Sequence, residues 1–400
     1  MQVYLKRFFC VVLSLIIVLP LSRMETSVFA ADETVTVQMT GTYGQTEARK
    51  LHSMVNQFRT SNDAWYLNSD NKTKTVCKDL KKLKYDYELE KAAMQRAMEI
   101  ALSFSHTRPD GNSCFTAYDH SSAAENIAAG YSSAKAVFQA WQETNEDYAG
   151  QGHRRNMLNS NVTAMGVGHV KLNGYDYWVQ EFRNPAGNLE ATKANDSKTK
   201  VSVDVQKSQI TSTTIKSSVK DCSIVVGESL KLPSIKILIK TADTWPDQKI
   251  PVKTKIKWKS ADDFCLGIEN NKLIGKEIGQ TKITASALGK NVKITVKVKP
   301  EQAKLRSLKT LNGKKLKVTW APDKKVSGYQ IQYSTDKKFK SGAKSITIAK
   351  NSTTSKTITK LKKGKKYYVR IRAYKKVKIN YESQKIYGSW SISKLSSKIK

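Results

Sequence analysis

The chain of 400 residues carries five histidines, all before residue 170: His52, His106, His120, His153 and His169. Two of them sit in distinctive settings. His106 lies in Ser105-His106-Thr107-Arg108-Pro109-Asp110-Gly111, and His153 opens His153-Arg154-Arg155-Asn156-Met157-Leu158 after Gly152. Between them lies Ala124-Glu125-Asn126-Ile127-Ala128-Ala129-Gly130. Two neutral imidazoles suit a divalent ion such as Zn²⁺, and a carboxylate completes or orients such a site. Two protein ligands leave positions open to water or substrate, and a nearby Glu can then act as general base. The competing reading is a hydrogen-bonded structural network. No Gly-x-Ser-x-Gly elbow, nucleotide-binding loop or Cys–His pair in protease context is present.

These residues need elements to hold them. Leu51, Met54, Val55 and Phe58 recur at spacings of three and four, one face of a helix. A second helix is predicted over residues 88–104, with Leu89, Ala93, Ala97, Ile100, Ala101 and Phe104 on one face, and a third over 134–141. Strands are predicted at 163–170 and 175–182, on either side of Asn173-Gly174, a hairpin-turn dipeptide. The first domain is thus mixed α and β.

Together with Trp141, Gly166-Val167-Gly168 and Tyr177-Trp178-Val179-Gln180-Glu181-Phe182, the three segments above resemble a bacterial CAP (SCP-like) domain over residues 47–183. The resemblance implies an α-β-α sandwich with a cleft holding two His and two acidic residues, some members binding a divalent metal through the histidines. Carried over by motif, the histidines are His106 and His153, which are then the expected metal ligands, and the first acid is Glu125. The second acid normally follows the tryptophan, where Glu143 comes first and Glu146 second; Glu143 is the expectation. The same four residues, His106, Glu125, Glu143 and His153, are the catalytic candidates. His52, His120 and His169 read as structural.

Residues 1–30 read as a signal peptide. Lys6 and Arg7 precede an apolar run over 8–21, too short to span a bilayer, which takes about 20 residues, and Val28-Phe29-Ala30 offers a cleavage site before Ala31. No later run is apolar enough to cross a membrane. Cleavage removes Cys10 and leaves Cys77, Cys114, Cys222 and Cys265, two in each half, whose pairing the sequence leaves open.

Residues 31–46 and 184–209 read as polar linkers. Residues 210–299 hold short β-branched strands at sandwich spacing, and Trp258-Lys259-Ser260 and Gly279-Gln280-Thr281-Lys282-Ile283-Thr284-Ala285 resemble a bacterial Ig-like repeat. Residues 302–400 resemble a fibronectin type III domain. Trp320 lies in an early strand, Gly328-Tyr329-Gln330-Ile331-Gln332-Tyr333 forms a core strand, and Tyr367 stands at the tyrosine corner after Leu361-Lys362-Lys363-Gly364-Lys365-Lys366. The fold class is therefore multidomain: an α-β-α sandwich followed by two all-β sandwiches, Ig-like and fibronectin type III-like.

Charge divides the chain sharply. Residues 47–183 hold 17 Lys and Arg against 16 Asp and Glu; residues 184–400 hold 49 against 15, with 46 Lys and 3 Arg. Lysine is a flexible point charge, suited to diffuse attraction to a polyanion more than to bidentate recognition. The expected partners are anionic cell-wall polymers or glycans for the basic half, and a small or peptide ligand for the histidine site. No nucleic-acid motif is present, and secretion argues against that partner. Two functions compete: a secreted or noncovalently wall-associated, Gram-positive-type protein binding a lipid, peptide or glycan, and a metal-dependent hydrolase or peptidase using the same tetrad.

Overall fold

The computed structural model describes residues 12–15, 32–117 and 123–400, so the expected leader and cleavage site lie outside the described residues apart from residues 12–15. The chain forms two compact units. One comprises the residues up to Thr214 together with Lys236–Thr254; the other comprises Ile215–Ile235 and Lys255–Lys400.

The first unit is built on a seven-stranded sheet. Its strands are β1 (Val12–Leu15), β2 (Thr34–Tyr43), β5 (Lys84–Tyr85), β6 (Ala124–Ala129), β7 (Ala164–Leu172), β8 (Tyr175–Arg183) and β9 (Lys198–Gln206). A separate hairpin pairs β3 (Trp65–Leu67) with β4 (Lys74–Val76). The order across the sheet is β1-β6-β8-β7-β2-β9, and β5 runs parallel to β7. The expected hairpin joins β7 to β8, with Asn173 at φ 52° and Gly174 at φ 93°, the left-handed pair such a turn demands.

Helix α3 (Tyr87–Ile100) lies on one face of this sheet. Asp86 caps its start, accepting from the amides of Glu88 at 2.9 Å and Leu89 at 3.2 Å. It comes so close to β7 that only glycine fits beneath it: a Cβ on Gly166 would lie 2.3 Å from the Glu90 nitrogen, and one on Gly168 2.2 Å from the Ala93 oxygen. This is the physical reason for the Gly166-Val167-Gly168 motif. Residues Met165 and Val167, alternating with those glycines, take the opposite face. They join a core with Leu51, Val55 and Phe58 of α2 (Lys50–Arg59), Val137 and Trp141 of α4 (Ala134–Gln142), and Met157 of α5 (Gly152–Met157). A one-turn helix, α1 (Gln45–Ala48), precedes α2.

Three boundaries differ from expectation. Residues 31–46 and 184–209, read as linkers, carry β2 and β9, which pair antiparallel from Thr34↔Gln206 to Thr42↔Lys198. Val37, Met39, Val203 and Val205 are fully buried there. Each strand alternates apolar and polar residues, and the Thr, Lys and Ser of the exposed face mask the period of two. Residues 236–254, assigned to the Ig-like stretch, belong to the first unit. Thr241 and Thr244 donate their hydroxyls to the Leu102 carbonyl at 2.8 and 2.7 Å, and the Phe104 amide donates to Asp243 O at 2.8 Å.

The second unit is almost all strand. Asp221–Val225 runs parallel to Lys290–Lys299, which pairs antiparallel with Gly279–Ala287, itself paired with Lys257–Ser260. Toward the C-terminus, Gly328–Ser334 lies between Lys344–Ile348 and Tyr368–Ile379. Trp320, Tyr329, Ile331, Val369 and Ile371 fill its interior, in one continuous core with Ile283, Ile294 and Val296. The Tyr367 hydroxyl accepts from the Lys362 amide at 3.1 Å, the corner bond expected of that segment. Among the described residues no helix is long and apolar enough to cross a membrane.

Candidate functional site

Four of the sequence-selected residues form two imidazole–carboxylate pairs. His106 Nδ1 lies 2.7 Å from Glu125 Oε1, and His153 Nδ1 is hydrogen-bonded to Glu143 Oε1. All four side chains are buried. Each carboxylate meets its imidazole on the Nδ1 side and so fixes the orientation of the ring. His106 Nε2 is buried and has no hydrogen-bond partner.

Glu125 comes from β6, and its second oxygen accepts from Arg96 Nε at 2.8 Å. Arg96 is fully buried on α3, donating also to Glu99 at 3.0 Å and to the Ser105 carbonyl at 2.6 Å, beside His106. Arg108 closes on the other side of Glu99 at 2.8 Å. Burial works to raise the pKa of Glu125, but the Arg96 charge and the His106 hydrogen bond outweigh it and hold the carboxyl well below its usual range.

Glu143 ends α4 in the left-handed conformation, φ 45° and ψ 41°. A residue with a side chain pays roughly 1–2 kcal/mol for that backbone. There it receives His153 on one oxygen and the Arg154 amide on the other at 3.1 Å. Glu146 is exposed. Helix α5 is fixed to the sheet by amides. Asn156 Nδ2 donates to Asn126 Oδ1 at 2.8 Å, and Asn126 Nδ2 donates to Gln180 Oε1 at 2.9 Å and to the His153 carbonyl at 3.3 Å. Trp141 stacks near the His153 ring at 6.3 Å.

The remaining histidines are accounted for differently. His52 Nε2 meets the Leu83 carbonyl at 2.7 Å; His169 pairs with Asp176 at 2.9 Å and stacks on Trp178 at 3.8 Å. His120 lies outside the described residues.

The residues 52–182 match the family model described as CAP, the cysteine-rich secretory protein family. That stretch is a CAP domain. Residues 298–389 match the fibronectin type III model. Uncharacterized protein YkwD of Bacillus subtilis (strain 168) is 33% identical over 110 residues, which is 26% of this chain and 40% of that protein; the chain spans about two fifths of that relative's length. A solved chain titled "Myokine structure" aligns at 19% identity over 25% of this chain and 99% of its own, with a TM-score of 0.20.

Within the CAP domain, sequence reasoning missed Arg96, Glu99, Cys114, Asn126 and Asn156. The signal for Arg96 was present: it sits inside the apolar face of α3, between Ala93 and Ala97. Cys114 and Cys77 are both free thiols. Cys114 Sγ lies with a His106 ring nitrogen and a Glu125 oxygen, all within 4.8 Å of one another. Burial and the Glu125 and Glu181 charges push its thiol far up, so without a bound cation it stays protonated at neutral pH. The group the structure brings together is His106, Cys114 and Glu125, and an imidazole with a carboxylate behind it is chemistry that suits Zn²⁺. In that arrangement the metal would supply an open, polarising coordination position, while Glu125 and Glu143 orient the rings.

Proposed function

We propose that the chain is a secreted, extracellular CAP-domain protein that binds a lipid, peptide or glycan ligand at the His106/Glu125 and His153/Glu143 pairs, with a divalent ion such as Zn²⁺ held by the two histidines. Its Ig-like and fibronectin type III segments act as a basic spacer or tether on anionic wall polymers. The observation that carries the reading is the pairing itself: two buried imidazoles, each oriented by a carboxylate on Nδ1, with His106 Nε2 left without a partner.

Metal-dependent hydrolysis by the same tetrad is the second reading, and the geometry favours it less. A general base works best with a pKa near the operating pH. Glu125 is held the other way by Arg96, and both its oxygens are engaged. The test is calorimetric Zn²⁺ titration of the purified chain and of His106→Ala and His153→Ala, followed by peptide and glycan hydrolysis assays. Stoichiometric binding lost in both variants, without turnover, is the expected result. Unchanged binding in either variant removes that histidine from the site, and turnover abolished by Glu125→Gln establishes the hydrolase.

A further inference from the structure

The two ends of the large sheet are finished differently. At one end β9 exposes Lys198 and Lys200, the kind of charge that blunts a strand edge. At the other end β6 reads Ala-Glu-Asn-Ile-Ala-Ala, with no Lys, no Pro and an unbroken register against β8 from Ala124↔Phe182 to Ala129↔Tyr177. Its one charge, Glu125, is buried and paired with Arg96 and His106, so the backbone edge carries no exposed charge against a further partner. One is present: β1 pairs antiparallel with β6, Leu15 opposite Glu125 and Val12 opposite Ala128. β1 also lies against α5, the helix that carries His153.

β1 falls within the segment read as a leader. Its removal would bare the β6 edge, including the backbone of Glu125, a member of one imidazole–carboxylate pair, at the flank of α5, which carries His153. We infer that this edge takes an extended peptide, added as an antiparallel strand to β6 in the place that β1 holds. The inference rests on the proposed ligand-binding role of the CAP domain and narrows its ligand to a peptide backbone. Strand addition draws affinity from main-chain hydrogen bonds and specificity from alternate side chains.

The test uses the chain from Ala31 to Lys400, which keeps every element except β1, and a synthetic peptide carrying the Val12–Leu15 sequence between solubilising lysine tags. Two further peptides have the same side chains, but each is N-methylated on one alternate set of amides. In a strand only one such set faces a given neighbour. The expected result has three parts: binding of the parent peptide, slowed hydrogen exchange at Ala124–Ala129, and at least a tenfold loss of affinity for one methylated peptide with the other within about threefold of the parent. No binding, equal binding of both methylated peptides, or protection elsewhere than β6 overturns the inference. His106→Ala separates it from the metal reading: peptide binding that persists while Zn²⁺ binding is lost supports both. Failure of the peptide with Zn²⁺ binding intact overturns strand addition alone.

Discussion

The CAP domain and the lysine-rich half use positive charge in opposite ways. Between residues 47 and 183, 7 of 17 basic residues are arginine; from 184 to 400 only 3 of 49 are. Arg59, Arg96, Arg154 and Arg183 are buried in the CAP unit, each spending its planar fork on carboxylates or carbonyl oxygens. In the second unit Arg370 and Arg372 lie over the Trp390 ring at 4.6 and 4.3 Å, and the lysines stand on exposed strand faces. A buried charge fixes geometry because leaving it unpaired is so costly; an exposed one acts at a distance and costs the fold little. The first arrangement builds a site, and the second builds a field.

The sharpest way to break this contrast is to remove one buried cation. Arg96→Met leaves buried Glu125 without its guanidinium partner and Glu99 with Arg108 alone, and the expected cost is about 3–5 kcal/mol in urea unfolding. The triple change Lys297→Gln, Lys299→Gln, Lys385→Gln in the basic half should move stability by no more than about 0.5 kcal/mol per site. Comparable losses in the two variants would erase the distinction.

Second in size is the amide tie beneath His153. Asn156→Ala takes a donor from Asn126 and should cost about 1–3 kcal/mol. Because it loosens α5 without touching a ligand, it should also weaken Zn²⁺ binding about 10–100-fold. Full stability loss with unaltered metal affinity would show that the amide tie holds α5 without setting the position of His153.

How much of this was legible beforehand depends on what each residue does. His106, His153 and Glu125 stood in motifs whose order marked them, and the α3 stripe and the Asn173-Gly174 turn follow from periodicity and backbone preference. Glu143 followed from its place after Trp141, though only the αL turn at the end of α4 explains why it, and not Glu146, reaches His153. Arg96 was hidden because a charge on an apolar helix face reads as an interruption. Strands β2 and β9 were hidden because their exposed faces are Thr- and Lys-rich. The clamp of Thr241 and Thr244 on Leu102 spans about 140 residues of sequence, a distance no local pattern encodes.

The third effect is set by pH. The folded pKa of Glu125 lies below the ordinary 4.5, so its ion pair contributes fully above pH 4.5 and is lost as pH falls through the lowered folded value. Unfolding free energy measured from pH 6 to pH 3 should therefore fall more steeply for the wild type than for Glu125→Gln, which has no proton to gain. Parallel profiles would mean that Arg96 does not hold Glu125 ionised.

The smallest effect on the fold, and the one that most directly tests the field, concerns Lys297, Lys299 and Lys385. They line a cavity of about 230 Å³ with Gln280, Gln384 and Tyr387, and no carboxylate lines it. Three ammonium groups without a counter-charge there raise the local potential for a phosphate-bearing polymer, and salt screens that attraction over roughly 8 Å at physiological strength. The buried arginines of the CAP unit offer less such pull, because their N–H groups are already taken up by carboxylates and carbonyl oxygens and they are out of reach of a polymer. The measurement is retention of the full chain on purified cell walls under a NaCl gradient, with teichoic-acid-depleted walls as the control. The triple Gln variant should elute at lower salt than the wild type while its Zn²⁺ affinity stays within about twofold. Depleted walls should shift the wild type in the same direction. Retention that ignores salt, or a variant that elutes with the wild type, would place wall attachment elsewhere than in these lysines. Loss of Zn²⁺ binding in the same variant would mean that the two regions do not divide their charges between site and field after all.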